Sequence, residues 1–548
     1  ADIFVPKEFS KNAESGMKVV VQITDYGDGK KKPEGVISEV IGREGDPGID
    51  VTSAVKAFGI EEDFDEKVLN QAERVAKPVS DADREGRTDF RDLMMVTIDN
   101  DDSKDLDDAV SLYREENGTY VLGVHIADVS NYVQEKSALD RTARERGTSV
   151  YLPDRVIPML PVTLSNGICS LNQNEDRLTL SCVMRIDKQG KLLDSYVTES
   201  IINSNRRMSY SEVDALLSGE ADETLKKECE ELTPMFTQMK ELSDIIRNRR
   251  RESGAIDFDF PEAKIELNDK GEVERITNYV HGPSSRMIED FMLSANEAVA
   301  ETYFYQGVPF IYRSHEKPDY DDLKKLQSIA ANLGFTMKVS KEGIHPFVLQ
   351  ELLSKVEGRP EKGIIQTLAL RTMKRAKYTT TAIGHFGLSM KYYCHFTSPI
   401  RRYPDLSIHR IIKDVLRGRM NEKRTEHYEG FLNEVANHSS DRERNAEELE
   451  RLVDDMKMAE YMEKHIGEVY EGIISGVTSW GIYVTIMDAV EGMVRLSDIE
   501  DDFYIYNEIM LEAVGKNTGK AYRLGMSVKV RVLSSDSHSR EIDFMFEE

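Results

Sequence analysis

The stretch Thr97–Ala109, TIDNDDSKDLDDA, holds six aspartates within ten positions: Asp99, Asp101, Asp102, Asp105, Asp107 and Asp108. Carboxylates this dense raise one another's pKa, and a bound divalent cation is the usual compensation. Oxygen donors with no neighbouring Cys or His favour magnesium, manganese or calcium over zinc. A calcium EF-hand does not fit. Counted from Asp99, the position that needs Gly is Lys104, and the one that needs Glu is Val110. A second stretch, His395–His409, HFTSPIRRYPDLSIH, brackets Arg401, Arg402 and Tyr403 between Pro399 and Pro404. Arginine can grip a phosphate through two parallel hydrogen bonds. Metal-binding carboxylates opposite arginine are the parts needed to hydrolyse a phosphodiester. Taken singly, each stretch also fits a blander role, an acidic surface loop or a charged turn before a helix.

The elements that must position these residues follow from periodicity. The apolar run Leu93–Ile98 feeds the aspartates, so they leave a sheet at a strand end. Tyr120–Asp128 and Thr179–Asp187 read as further strands, and Ser137–Arg146 as a helix. Glu212–Arg251 is largely helical, Met287–Tyr303 is an amphipathic helix, and Pro404–Leu416 another. Ser440 is expected to cap a charged helix reaching about Glu463. Short strands separated by Gly- and Asp-rich turns occupy both ends, Met17–Thr24 and Gly35–Gly42 at the start and four runs after Gly467. They predict a partial OB-like barrel and a closed small barrel.

Composition bounds the function. The 548 residues suffice for several domains, 40% of them hydrophobic and 31% charged, as in a folded globular chain. No apolar run approaches membrane-spanning length, and the start, ADIFVPKEFS, has no basic region followed by an apolar stretch. It also lacks Met, as expected of a processed or shortened chain. Cys169, Cys182, Cys229 and Cys394 match no zinc or disulfide spacing, which predicts reduced thiols and a cytoplasmic protein. The net charge of −27 lowers the expectation of nucleic-acid binding without closing it, because a basic channel can exist locally. The run Arg371, Lys374, Arg375, Lys377 is one candidate for phosphate contacts.

Four motifs in one order then carry a resemblance. TIDNDDSKDLDDA, HIADVSNYV (125–133), YLPDRVIPMLP (151–161) and HFTSPIRRYPDL (395–406) resemble the ribonuclease II / ribonuclease R family. DIFVP, GAIDFDFPEAK (254–264), GHFGL (384–388) and AYRLGMSVKVRV (521–532) place the resemblance nearer its bacterial ribonuclease R side. It covers nearly the whole chain. It implies a processive, hydrolytic 3′-to-5′ exoribonuclease that releases nucleoside 5′-monophosphates in RNA turnover. Its implied metal ligands are Asp99, Asp105, Asp107 and Asp108, holding two Mg²⁺ ions, with Mn²⁺ as a substitute. Asp101 and Asp102 are outer acids. Asp107 matches the aspartate most critical for cleavage, and Arg401 the arginine at the scissile phosphate. Tyr151 and Phe258 match aromatics that clamp a short stack of 3′-terminal bases, a device suited to every base. Tyr210 matches a tyrosine near the terminal nucleotide. Glu289, with Asp290 as the alternative register, matches a ribose-selecting glutamate. Arg402, Trp480 and Tyr483 complete the expected RNA contacts.

The expected fold class is α+β multidomain, a mixed α/β ribonuclease catalytic core flanked by OB-type β-barrels. Its divisions would be a cold-shock-type barrel at 1–78, reading as the second of a pair, a catalytic domain at 79–430, a connecting helix at 431–465, and an OB domain of the ribosomal S-one type at 466–548. The expected partner is single-stranded RNA with a free 3′ end, with structured RNA as a further substrate, for a monomer that touches no membrane. Against the family layout, a first cold-shock-type barrel and a Lys-rich tail are absent from this sequence. That bears on duplex handling and recruitment more than on catalysis.

Overall fold

The computed structural model describes residues 2–28, 31–256, 262–279, 281–341, 343–359, 361–508 and 510–547. Phe258 lies outside them. At the centre is a seven-stranded mixed sheet made of β1 (Thr88–Asp89), β2 (Val96–Asp99), β3 (Asp108–Arg114), β4 (Tyr120–Ala127), β5 (Asp176–Ile186), β6 (Leu192–Asn203) and β7 (Arg206–Ser209). The spatial order is β7-β2-β3-β4-β5-β6-β1. β2 to β6 run antiparallel in sequence, whereas β7 joins β2, and β1 joins β6, in parallel.

Alternation sets the two faces of the sheet. Val110, Val124 and Cys182 lie in register, as do Leu112, Leu122 and Met184. These side chains join one large core with Phe291, Ala295 and Ala298 of a long helix. The helices that matter for the site are α1 (Thr233–Glu252), α2 (Pro283–Tyr305), α3 (Tyr403–Leu416) and α4 (Glu422–Glu463). The other face of the sheet is polar but also covered. His125 bridges Ser111 Oγ at 2.9 Å and Ser181 Oγ at 2.6 Å, and Ser200 Oγ lies 2.6 Å beyond Ser181. Burial pulls the His125 pKa down to about 3, so the ring is neutral and can both donate and accept.

The expected start of the long helix is corrected. Helix α4 begins at Glu422, where the Asn421 side chain accepts from Arg424 N at 3.0 Å, and it runs for 42 residues. Ser440 lies inside it, donating back to Ala436 O at 2.8 Å and accepting from Tyr378 N at 3.0 Å. A serine that looks like a cap is spent on the preceding turn because Tyr428, Leu432, Val435 and Ala436 upstream are buried in the main core. At 1.5 Å per residue α4 spans about 63 Å. Its next stretch packs Leu449 and Val453 against Val51 and Val55, and its end puts Ala459 and Met462 into the C-terminal core.

At the C-terminal end, strands Val469–Val477, Gly481–Ile486, Val490–Arg495, Ser527–Asp536 and Glu541–Glu547 close into the expected barrel. A three-stranded sheet, 504–523, is inserted before its fourth strand. At the other end, Met17–Asp25 and Glu34–Arg43 form an antiparallel ladder followed by a helix, Ile49–Ala57. Among the described residues, no helix is long and apolar enough to cross a membrane.

A buried charge cluster ties the sheet to α3. Lys413 Nζ lies 2.9 and 2.8 Å from the two Asp128 carboxylate oxygens, and Arg87 Nη2 is 2.7 Å from one of them. Burial pushes the Asp128 carboxyl up, but the two cations and the hydrogen bond from Ser130 outweigh it and hold it well below the usual range. Its contribution to stability is therefore complete above the unfolded value, about pH 4, and is lost as pH falls below that. Asp128→Ala should leave the buried Arg87 and Lys413 with only the more distant Glu199, at 3.5 and 3.8 Å, and destabilise the core by about 3 kcal/mol. Thermal unfolding followed by far-UV circular dichroism checks this, and a melting curve like that of the parent chain would refute it.

Candidate active site

Strand β2 ends at Asp99 and β3 starts at Asp108, so the aspartate loop sits at one end of the sheet. Leu106 is buried in the core, which turns its neighbours Asp105 and Asp107 the other way. The loop backbone is held from both sides. Ser170 Oγ accepts from Leu106 N at 3.0 Å and donates to Lys104 O at 2.9 Å. Leu171 N donates to Leu106 O at 3.0 Å, and Ala127 N donates to Asp107 O at 2.9 Å. On the near side Arg207 Nη2 donates to the carbonyls of Asp101 at 3.0 Å and Ser103 at 2.5 Å. Asp101 and Asp102 are exposed.

The second motif closes over this loop. Ile400 N donates to Asp107 Oδ1 at 2.9 Å, and Arg401 Nε lies 3.7 Å from Asp107 Oδ2. The two adjacent arginines part company here. Arg402 makes two hydrogen bonds, 2.8 and 3.1 Å, to the buried Asp405 in the first turn of α3, and its side chain is only 18% exposed. Asp405 also accepts from Ser398 N at 2.8 Å. Arg402 thus braces the turn, and Arg401, 44% exposed, keeps its guanidinium in the cleft. Arg401 O accepts from Ser149 N at 3.0 Å, which brings in the segment carrying Tyr151. That segment is aimed by Gly147, which ends the helix Ala138–Arg146 at φ 71° and accepts from Tyr403 N. A Cβ there would lie 2.8 Å from Arg442 Cβ.

Tyr151 OH donates to Asp105 Oδ2 at 3.1 Å, and its ring is 40% exposed. Tyr210 follows β7, whose Ser209 is in register with Asp99, so it stands beside the site at the start of a capped helix. Its carbonyl accepts from Ser284 Oγ at 3.0 Å, linking it to the N-terminal turn of α2. On that helix Glu289 and Asp290 differ sharply. Asp290 is fully buried among Ser243, Arg247 and Arg250, whereas Glu289 is 51% exposed and takes one bond from Arg247 at 2.9 Å. Trp480 and Tyr483 belong to the barrel, where Trp480 Nε1 donates to Tyr483 OH at 3.1 Å. The structure therefore gathers Asp99, Asp105, Asp107, Asp108, Tyr151 and Arg401 in one cleft, while the barrel residues form a separate surface. Arg207, Ser170 and Asp405 were not singled out from sequence. Arg207 lies three residues before Tyr210, and nothing in its type marks it.

The electrostatics are those of charges wanting a cation. Burial, then the Asp108 charge, pushes Asp99 well above the usual carboxylate range, with Arg207 opposing. Burial also pushes Asp107 well up against Arg401 and the Ile400 N–H, and lifts Asp108 to about 6. Asp99 Oδ2 is buried with no hydrogen-bond partner. Among the described residues no three His, Cys, Asp or Glu side chains stand close enough to grip an ion as they are. The donor set still fits a hard divalent cation, being all-oxygen, anionic, dry and in part orphaned. Asp99, Asp105, Asp107 and Asp108 are the residues that would hold it.

Comparison with known proteins decides the family. The RNB domain matches residues 87–418, more than half of the chain, with a cold shock domain at 1–65 and an S1 RNA binding domain at 463–546. Ribonuclease R of Thermotoga maritima is 42% identical over 553 residues, covering 100% of this chain and 77% of that protein. The chain belongs to the ribonuclease R family. Ribonuclease R 1 of Lactococcus lactis is 44% identical over 531 residues, or 96% of this chain, which spans only 65% of that relative's length. Mycoplasma genitalium RNase R in complex with ribose-methylated single-stranded RNA superposes with a TM-score of 0.91 at 28% identity, covering 100% of this chain and 85% of that one. Its complex with double-stranded RNA gives 0.88 at 26% identity, covering 100% and 91%. Enzymes of the family are metal-dependent nucleases, and the mixed α/β core with flanking OB-type barrels is the family fold.

The raised carboxyls give a pH prediction. A carboxyl that binds its proton more tightly in the folded state stabilises the fold at low pH and loses that effect as pH rises through about 6. A divalent cation competes with those protons and should bind better at higher pH. Added Mg²⁺ should therefore raise the melting temperature of chelator-treated protein more at about pH 7.5 than at about pH 5.5. Calorimetric scans at the two pH values check it, and an equal shift at both would contradict the assignment.

Proposed function

We propose that this chain is a processive 3′-to-5′ exoribonuclease that hydrolyses RNA to nucleoside 5′-monophosphates in RNA turnover. The observation that carries this reading is the intact set Asp99, Asp105, Asp107 and Asp108 with Arg401 beside Asp107. Bound at those carboxylates, two Mg²⁺ ions, or Mn²⁺ in their place, supply Lewis-acid stabilisation and a water of lowered pKa. The chain's own residues do the rest. Arg401 donates to a non-bridging phosphate oxygen as charge develops. Arg402 acts on RNA through the turn it braces. The partly exposed Tyr151 supplies a stacking platform for a terminal base, with Tyr210 near the terminal nucleotide and Phe258 as the opposing clamp. Glu289, exposed where Asp290 is committed to buried ion pairs, is the better reader of a ribose hydroxyl.

The substrate is single-stranded RNA with a free 3′ end. The Mycoplasma relative's complex with double-stranded RNA supports structured RNA as well. Trp480 and Tyr483 offer the barrel's RNA-facing aromatics. Four buried, unpaired cysteines support a reducing compartment, and we place the protein in the cytoplasm as a monomer. The domain divisions follow as a cold-shock-type barrel to residue 78, the catalytic domain to 430, a connecting helix to 465, and the S1-type barrel after it.

Incubation of 5′-labelled single-stranded RNA with and without Mg²⁺, resolved at single-nucleotide steps, tests the reading. A ladder that shortens from the 3′ end only with metal is expected, and internal cuts or no cleavage would defeat it. Asp107→Asn keeps an oxygen to accept from Ile400 N while removing an anionic ligand. Single-turnover cleavage should fall by on the order of a hundredfold or more, with gel-shift affinity for RNA retained. Substantial residual cleavage would remove Asp107 from its role. Glu289→Ala should relax discrimination against a DNA 3′ end without lowering the melting temperature. An unchanged RNA-to-DNA rate ratio would make Glu289 structural.

A further inference from the structure

We infer that Arg207 is a positioning residue for the metal-binding carboxylates, gripping the upstream half of the aspartate loop from behind and setting where Asp99 stands relative to Asp105 and Asp107. The inference rests on the proposed reading of those aspartates as ligands.

The geometry begins in the sheet. Strand β7 runs parallel to β2, with Arg207 in register with Thr97 and Ser209 with Asp99. Arg207 therefore leaves the sheet edge just before the last ligand-bearing residue of β2. Its own backbone is fixed, since Arg207 N donates to Gln173 Oε1 at 2.9 Å. One guanidinium nitrogen, Nη2, gathers three carbonyls of the loop backbone. It lies 2.5 Å from Ser103 O, 3.0 Å from Asp101 O and 3.5 Å from Asn100 O. The N–H groups of Nη2 lie in the fixed plane of the guanidinium, so carbonyls that converge on this one nitrogen are held in set directions. With the carbonyls turned toward Arg207, the path from Asp99 to Lys104 is fixed in length and direction. The downstream half is held separately, by Ser170 on Lys104 O and Leu106 N. The two clamps meet at Lys104, and together they set the separation between Asp99, at one end, and Asp105 and Asp107, at the other. The guanidinium also places a positive charge behind a crowd of negative ones, opposing the repulsion that would splay the loop. Arg207 touches neither the substrate cleft's Arg401 turn nor Tyr151 in any hydrogen bond described, so its effect runs through the loop.

Metal ligands are tuned by the groups that orient them, and loss of such a group typically costs ten- to a hundredfold in metal affinity. Arg207 lies on the wall of a cavity of about 1050 Å³, so a shorter side chain enlarges an existing hollow instead of opening a void in packed core. The variants Arg207→Met and Arg207→Lys should therefore fold, which far-UV circular dichroism verifies. The test measures Mn²⁺ binding to the full chain, without RNA, by the electron paramagnetic resonance signal of free Mn²⁺. Asp107→Asn serves as the control. Arg207→Met should weaken Mn²⁺ binding by about tenfold or more. Gel-shift affinity for RNA in chelator should stay within about twofold of the parent, since the residue does not face the cleft. Arg207→Lys, which keeps the charge but loses the fixed guanidinium plane that orients Nη2, should stay close to Arg207→Met. Parent-like Mn²⁺ binding by Arg207→Met, or full recovery by Arg207→Lys, would overturn the positioning role. Unchanged Mn²⁺ binding by Asp107→Asn would instead overturn the underlying assignment of the aspartates, so the two failures are distinguishable.

Discussion

Mutual repulsion among carboxylates that are also being dried is the constraint around which this molecule is arranged. Burial pushes Asp99, Asp107 and Asp108 toward their protonated forms, and neighbouring carboxylates add to it at Asp99 and Asp107. A flexible loop would relieve that strain by turning its acids to solvent, as Asp101 and Asp102 do. Relief is denied to the others by anchors of several kinds: Leu106 in the core, Ser170 on the backbone, the Ile400 N–H on Asp107, and cations on two sides. The sheet supplies the fixed strand ends, and α3 supplies the turn that brings Ile400 and Arg401 to the loop. Arrangement of this kind concentrates unfavourable charge where a cation and a phosphate can make use of it.

A net charge of −27 and the proposed RNA partner are reconciled by where the cations are spent. Much of the basic complement is already matched. Lys374 lies 2.7 Å from Asp319, and Lys377 lies 2.6 Å from Glu316, so the run 371–377 is less available to phosphate than its composition implies. Arg87, Lys413 and Arg402 serve buried aspartates. Under the proposed reading, recognition falls to a few placed groups, Arg401 and exposed aromatic residues such as Tyr151 and Trp480, rather than to a broad positive field.

Features carried by one residue type at high local density were legible in the sequence. Six aspartates after an apolar strand, and short strands between Gly-rich turns, declare themselves because the signal is local. Distinctions between chemically equal neighbours were not legible. Residue type alone does not separate Arg401 from Arg402 or Glu289 from Asp290; the resemblance preferred Arg401 and Glu289, and the structure commits Arg402 to Asp405 and Asp290 to Arg250 and Ser243. Arg207 was invisible for a further reason, since its partners are backbone carbonyls, which any sequence provides. Ser440 misled because cap preference is a local property, and burial of the residues before it overruled that preference.

Helix α4 has a consequence for how the parts move. Its residues belong in turn to the main core, to the N-terminal helix's core and to the barrel's core. Between those stations, Glu443 takes an ion pair from Arg313 at 2.6 Å, and Glu450 accepts from Tyr151 N at 2.8 Å. The barrel is thus mounted on a stiff shaft that also bears on the residue overlying Asp105. A displacement of the barrel that moves the end of α4 therefore bears on the same helix that holds the Tyr151 backbone. In mechanical language, the barrel and the Tyr151 segment share one axle.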